Sequence, residues 1–191
     1  PARQGHKGQE RGVAAWVLIT LKRPFRVGDR VLFPSLGLSG DVLEVGLMYT
    51  KLDQVGGSIG SEDAVGRYIL IPNAMLFGQV AINYTPPPQS TSSYLLDEVV
   101  IRLTYDSDWF TAESILLTAA REVTGDIIKA SGKDPYIRSD LYDYGVYVRL
   151  RFMTLAMDRP RISHEIVTRI FRDFQSNPRV DFAIPFVYSG R

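Results

Sequence analysis

A chain of 191 residues has room for one large domain or two small ones, and its 45% hydrophobic content supports a packed core rather than a disordered tail. A formal net charge of +1 is too balanced to point to nucleic acid through charge alone. With no cysteine there is no disulfide and no thiolate chemistry, which suits a reducing compartment.

Residues 1–12 include Arg3, His6, Lys7, Glu10 and Arg11. So polar a stretch could not sit in lipid or line a dry pore, and it reads as a foreign or frayed leader. Residues 14–21 form an apolar run far short of the roughly 20 residues that span a bilayer. Nothing else in the chain comes closer, so the polypeptide is expected to be soluble as it stands. Pro24 disfavours helical geometry at Arg23, and a helix arriving from the N-terminal side should end there. Arginines at that position fit the cytoplasmic end of a membrane span. Gly28-Asp29 then turns the chain into Arg30-Val31-Leu32-Phe33, which reads as a strand.

Residues 29–84 show short strands and glycine turns with no helical period. The first strand is placed at 29–33. Leu43, Val45, Leu47 and Tyr49 alternate with Val42, Glu44, Gly46 and Met48, which predicts one strand that is apolar on both faces over part of its length. Residues 68–71 and 79–84 supply later strands. Short strands bounded by Gly, Pro and Asn predict a small barrel or curled sheet. Residues 53–67 read as a long hairpin tip; they lack the lysine and following helix that a phosphate-cradling loop requires.

Residues 85–93, Thr-Pro-Pro-Pro-Gln-Ser-Thr-Ser-Ser, are stiff, short of backbone donors and without core-forming side chains, so two domains are expected to meet there. Beyond them Val99, Ile101, Leu103 and Tyr105 alternate with Glu98, Arg102 and Thr104. Asp106, Ser107 or Asp108 is placed to cap the next helix, which carries Ala112, Leu116, Ala119, Val123 and Ile127 and exits at Gly132. A weak strand over 136–141 and an alternating one through Val146, Val148, Leu150 and Phe152 follow. The second helix carries Ile162, Ile166, Ile170 and Phe174 on one stripe and stops before Pro178. Val180, Phe182 and Ile184 alternate as a last strand. Strand-helix-strand-strand-helix-strand is the order of a ferredoxin-like split unit.

The chain offers little for catalysis. His6 and His164 have no evident partner and read as surface residues. Asp106 and Asp108 could be drawn as a metal pair, but helix capping explains them without a ligand. Asp140 and Asp143, with Tyr142 and Tyr144, read as flanks of a hairpin turn. No enzyme, cofactor or metal is expected. A soluble RNA-binding module is the alternative, because Arg149 and Arg151 share a strand face with Tyr147; Glu98, Asp140 and Asp143 dilute that field. Self-assembly explains more, since surplus apolar strand surface commonly becomes a subunit contact.

Four segments, in this order and at these approximate spacings, resemble the small-conductance mechanosensitive channel family. They are Arg23-Pro24-Phe25-Arg26-Val27-Gly28-Asp29, Ser39-Gly40-Asp41-Val42, Ile69-Leu70-Ile71-Pro72-Asn73 and Tyr105-Asp106-Ser107-Asp108. The resemblance covers the chain from about residue 14 to its end. It implies a mixed β and α+β fold: the end of a pore-lining helix within 1–23, a small Sm-like β barrel over 24–84, a linker at 85–93 and a ferredoxin-like α+β domain over 94–191.

By the same resemblance the chain is the cytoplasmic vestibule portion of an inner (plasma) membrane channel subunit that assembles as a homoheptamer. The bilayer would be crossed by helices upstream of residue 1, where the hydrophobic gate would also lie. Ions and small osmolytes would leave under membrane tension in hypo-osmotic shock, and no nucleic-acid partner is implied. Arg23, Pro24, Phe25, Arg26, Gly28 and Asp29 would lie at the membrane interface and couple helix to soluble body, with lipid-headgroup anchoring an equal account of Arg23 and Arg26. Gly40, Pro72, Asn73, Tyr105, Asp106 and Asp108 would be structural, and Arg149 and Arg151 would face the vestibule. The polar leader departs from the family's small, apolar pore helix, and the hairpin tip is longer than usual. After Pro185, only Phe186, Val187 and Tyr188 precede Ser189-Gly190-Arg191, a tail expected to be too short to close the family's small parallel barrel well.

Overall fold

The computed structural model describes residues 14, 16–17, 19–57, 62–76, 78–85 and 94–184. The polar leader, linker residues 86–93, tip residues 58–61 and the tail from residue 185 lie outside the described residues. The chain divides into two compact units, Pro1–Ser93 and Tyr94–Arg191.

In the first unit the described residues between 14 and 22 are helical. The helix ends at Arg23, which takes a left-handed φ of 49° while its N–H returns to the Ile19 carbonyl at 2.9 Å. This is a single-bond left-handed cap, and Pro24 prevents any further turn. Five strands follow: β1 (Arg30–Phe33), β2 (Leu38–Val45), β3 (Tyr49–Val55), β4 (Ala64–Pro72) and β5 (Ile82–Asn83). All pair antiparallel, in the order β4-β3-β2-β1-β5. Register breaks between Val42 and Glu44 and between Asp53 and Val55 interrupt the ladders, the usual device for bending a small sheet. Among the described residues no pairing joins the edges β4 and β5, so the sheet is open and not a closed barrel. Val31, Phe33, Val42, Leu52 and Ile71 form its core with Ile19 of the helix, Phe25 and Leu76.

The strand expected through residues 42–49 is two strands. Apolar alternation runs on past Val45, but the chain turns at Gly46, whose N–H donates to the Tyr49 carbonyl at 2.9 Å. The expected long tip is also shorter: β3 continues to Val55 and β4 begins at Ala64, because buried Leu52 and Val55 hold the hairpin in register. Of residues 79–84 only Ile82 and Asn83 pair with β1.

The second unit runs β6 (Leu95–Leu103), α1 (Trp109–Ser131), β7 (Tyr136–Tyr142), β8 (Gly145–Thr154) and α2 (Arg159–Gln175). The antiparallel sheet has the order β6-β8-β7, and Phe182 bridges to Leu103 on the far side of β6. The spatial order fourth-first-third-second is that of a ferredoxin-like unit. One sheet face, with Val99, Ile101, Val148, Leu150 and Phe152, packs on Leu116 of α1 and on Ile162, Ile166, Ile170 and Phe174 of α2. Phe182 stacks on Phe171 and Phe174 and closes that layer.

Candidate functional site

The segment from Arg23 to Asp29 is a hydrogen-bonded turn fixed at several points. Phe25 is buried and meets Phe33 edge-on at 5.9 Å between ring centres. Gly28, at φ 92°, donates its N–H to the Val42 carbonyl at 2.7 Å, and Val42 N–H returns to the Asp29 carbonyl at 2.8 Å. The Asp29 carboxylate is the organiser: one oxygen, Oδ2, accepts from Arg26 N–H and from Asn83 Nδ2, each at 2.8 Å. Asn83 also donates to the Pro24 carbonyl at 3.2 Å and accepts from Thr85 N–H at 2.8 Å. Its one side chain therefore ties both ends of the turn to β5. Arg23 and Arg26 remain exposed on the outside, beside a groove floored by Ile19, Phe25 and Val45.

Directly behind this turn a buried ion pair crosses β1 and β2. Arg30 donates from Nε to Asp41 Oδ1 at 2.7 Å and from a terminal nitrogen to Asp41 Oδ2 at 2.9 Å. The fork-to-fork geometry links two residues that are register partners. A third donor reaches the Glu62 carbonyl at 3.0 Å.

Gly40 lies where β2 passes closest to β3. A β-carbon there would sit 2.5 Å from the Asp53 carbonyl oxygen and 3.0 Å from Leu52 Cβ. Pro72 ends β4, and Asn73 after it is fully buried. Asn73 accepts from the Thr50 hydroxyl at 2.8 Å and donates to the carbonyls of Gly46 and Leu47 at 2.8 and 3.1 Å. The side chain thus fixes the β2–β3 turn that interrupts the expected long strand.

In the second unit Asp108 caps α1 by accepting from Thr111 N–H at 3.0 Å, while Asp106 and Tyr105 are exposed. The Thr111 side-chain hydroxyl, then its backbone N–H, then the charge of Arg179 hold the Asp108 carboxyl below its ordinary pKa of 3.8. Tyr105 hydroxyl donates to the Tyr142 carbonyl. Ser107 Oγ accepts from Asp181 N–H at 3.0 Å, so the junction also fastens the closing segment.

Arg149 and Arg151 lie on the sheet face away from the helices, and neither is a bare charge. Arg151 pairs with Glu98 at 3.1 Å, and Arg149 with Glu98 at 3.6 Å and Asp140 at 3.2 Å. The chain Arg151–Glu98–Arg149–Asp140 crosses all three strands, and the hydrogen bond that Arg151 donates to Glu98, followed by that with Tyr136, raises the Arg151 pKa. Sequence reasoning gave no role to Asn83, Arg30, Asp41 or Thr50, although Arg30 and Asp41 lie in segments it singled out. Only the i,j register of strand pairing could have found them, because each acts on a residue far along the chain.

Among the described residues no group of His, Asp or Glu is arranged to hold a metal. The description "Mechanosensitive ion channel, beta-domain" matches residues 11–86. A small-conductance mechanosensitive channel of Edwardsiella ictaluri is 27% identical over 147 residues, covering 77% of this chain and 41% of its own length. An uncharacterized MscS family protein of Buchnera aphidicola is 31% identical over 102 residues, covering 53% of this chain and 31% of its own. The chain thus spans less than half the length of either curated relative. Helicobacter pylori MscS in its closed state shares the fold at a TM-score of 0.67 and 17% identity, over 100% of this chain and 68% of that one. Arabidopsis thaliana MSL1 does so at 0.57 and 15%, over 96% and 62%.

Proposed function

We propose that this chain is a C-terminal region of a small-conductance mechanosensitive channel subunit and forms its cytoplasmic vestibule portion; the β-domain match over residues 11–86, the channel relatives and the shared fold support this reading. The intact protein would sit in the inner (plasma) membrane and release ions and small osmolytes when tension rises in hypo-osmotic shock. Among the described residues no helix is long and apolar enough to cross a membrane, and the proposal assigns the crossing to helices upstream.

One observation carries this reading: the helix end is built into the sheet. Ile19 and Phe25 belong to the same buried cluster as Val31, Val42 and Leu52, and Asp29 with Asn83 locks the turn between them. A pull on the helix therefore strains the sheet instead of being lost in a loose joint. Arg23, Pro24, Phe25, Arg26, Gly28 and Asp29 act in this proposal as the coupling segment under the membrane.

Self-assembly is the second part. Leu43, Leu47, Tyr49, Tyr68, Leu70, Val80 and Ile82 are large apolar side chains left exposed on the first unit. Such a density of exposed apolar surface favours subunit contacts, and a homoheptamer is proposed. Static light scattering of the 21.4 kDa chain tests this: a mass near seven copies is expected, and a monomer at micromolar concentration would remove the ring. The RNA alternative loses its main support, because Arg149 and Arg151 are occupied by Glu98 and Asp140. Filter binding to single-stranded RNA should show only weak, salt-sensitive attraction.

A further inference from the structure

We propose that the uncovered face of the β6–β8–β7 sheet recruits small anions, and that Arg102 and Arg138, not Arg149 and Arg151, supply the charge that does so. Strand register places the relevant side chains on one surface. Glu98 is opposite Arg151, Val100 is opposite Arg149, and Arg102 is opposite Tyr147 on β6 and β8. Arg138 is opposite Arg149, and Asp140 is opposite Tyr147 on β7 and β8. Both helices pack on the other side of the sheet.

The two arginines singled out by sequence belong to the quartet Arg151–Glu98–Arg149–Asp140, whose formal charges cancel. Arg102 and Arg138 stand outside it. Each lies across an aromatic ring, Arg102 at 5.1 Å from the centre of Tyr147 and Arg138 at 4.8 Å from that of Tyr136. Among the described residues neither makes an ion pair with a carboxylate. Stacking orients a guanidinium without neutralising it; Arg138 also donates one N–H to the Ile137 carbonyl at 2.9 Å, a neutral partner that leaves its charge in place.

The face therefore keeps a local positive charge, although acidic side chains outnumber basic ones over residues 94–184. Besides Glu98 and Asp140, which the quartet neutralises, opposing charges gather at one end of the sheet, where Asp106, Asp143 and Asp181 line a pocket with Tyr144 and Ile184 around the hairpin tip. Recruitment should be centred away from that end, around Val100, Arg138 and Arg149. Small anions bearing carboxylate, sulfonate or phosphate groups are the ligand class, since a guanidinium edge matches their oxygens. Recruitment does not depend on the channel reading; on that reading, the same face would favour anionic solutes in the vestibule.

The absence of cysteine gives a clean test on the full chain. Val100→Cys puts a single thiol on the face, where Val100 is 43% exposed. Its rates of modification by an anionic sulfonatoethyl and a cationic trimethylammonioethyl methanethiosulfonate are compared with those of free 2-mercaptoethanol. The ratio of the two rates cancels any change in thiolate population. At about 10 mM salt, where screening extends about 30 Å, the anionic reagent should be favoured by about threefold or more. Adding R102Q and R138Q should bring the ratio back to that of the free thiol, whereas E98Q/D140N/R149Q/R151Q should leave it high. A ratio at or below that of the free thiol, or one that survives R102Q/R138Q, overturns the proposal. Should the fourfold variant fail to fold, R102Q/R138Q decides alone, because both side chains are exposed and outside the strand-bridging network.

Discussion

Asp29 and Asn83 meet through a 2.8 Å hydrogen bond between residues 54 positions apart, and that bond joins the turn below the helix to the last strand of its sheet. Asn83→Ala removes the donor to Asp29 and the donor to the Pro24 carbonyl together. Counting the bond that Asn83 accepts from Thr85 N–H, one charge-assisted bond and two neutral ones are lost, so unfolding free energy should fall by about 2–4 kcal/mol in urea titration. Asn83→Asp should cost more, since it sets two carboxylates against each other. Equal stability of Asn83→Ala and the parent would show that Phe25 and the backbone bonds of Gly28, Val42 and Arg26 hold the turn without Asn83.

Arg23 occupies left-handed backbone without being glycine. That conformation costs an L-residue about 1 kcal/mol, and Arg23→Gly should recover much of it in thermal or chemical unfolding. Arg23→Val should destabilise instead, because a branched Cβ is worse there than arginine's.

Gly40 is set by close approach, not by φ. Gly40→Ala drives a Cβ to 2.5 Å from a backbone oxygen on β3, where no flexible side chain can yield. We expect a loss of about 2–3 kcal/mol and slowed formation of the β2–β3 pair. Hydrogen exchange should locate the loosening at Leu52 to Gln54.

Asp108 supplies a pH prediction. Its folded pKa is depressed by the two Thr111 hydrogen bonds, so the cap contributes fully above the ordinary carboxylate value of 3.8 and is lost as pH falls through the lower folded value. Asp108→Ala should be less stable than the parent by a constant margin from pH 7 to about 5. That margin should shrink only in more acidic solution. A margin independent of pH down to the acid limit would show that charge plays no part in the cap.

Much of the second unit was legible because its signals are local or periodic. A cap at Asp106, Ser107 or Asp108, the Gly132 exit and the stripe Ile162, Ile166, Ile170, Phe174 each follow from spacing around one helix, and the structure selects Asp108 for the cap. In the first unit the same reasoning ran through Gly46, because apolar alternation cannot mark a turn that a distant Asn73 holds by its carbonyls. Open versus closed sheet, the Arg30–Asp41 fork and the carboxylates that occupy Arg149 and Arg151 depend on strand register, which no local pattern encodes.

On the proposed function, helix and sheet move as one body when a membrane is stretched. Patch recording on giant vesicles holding the intact protein tests it most directly. Conducting steps should appear as suction rises, and Asn83→Ala should raise the opening tension at unchanged unitary conductance. No tension-dependent steps up to membrane rupture, or an opening tension untouched by loosening the Asp29–Asn83 link, would contradict it.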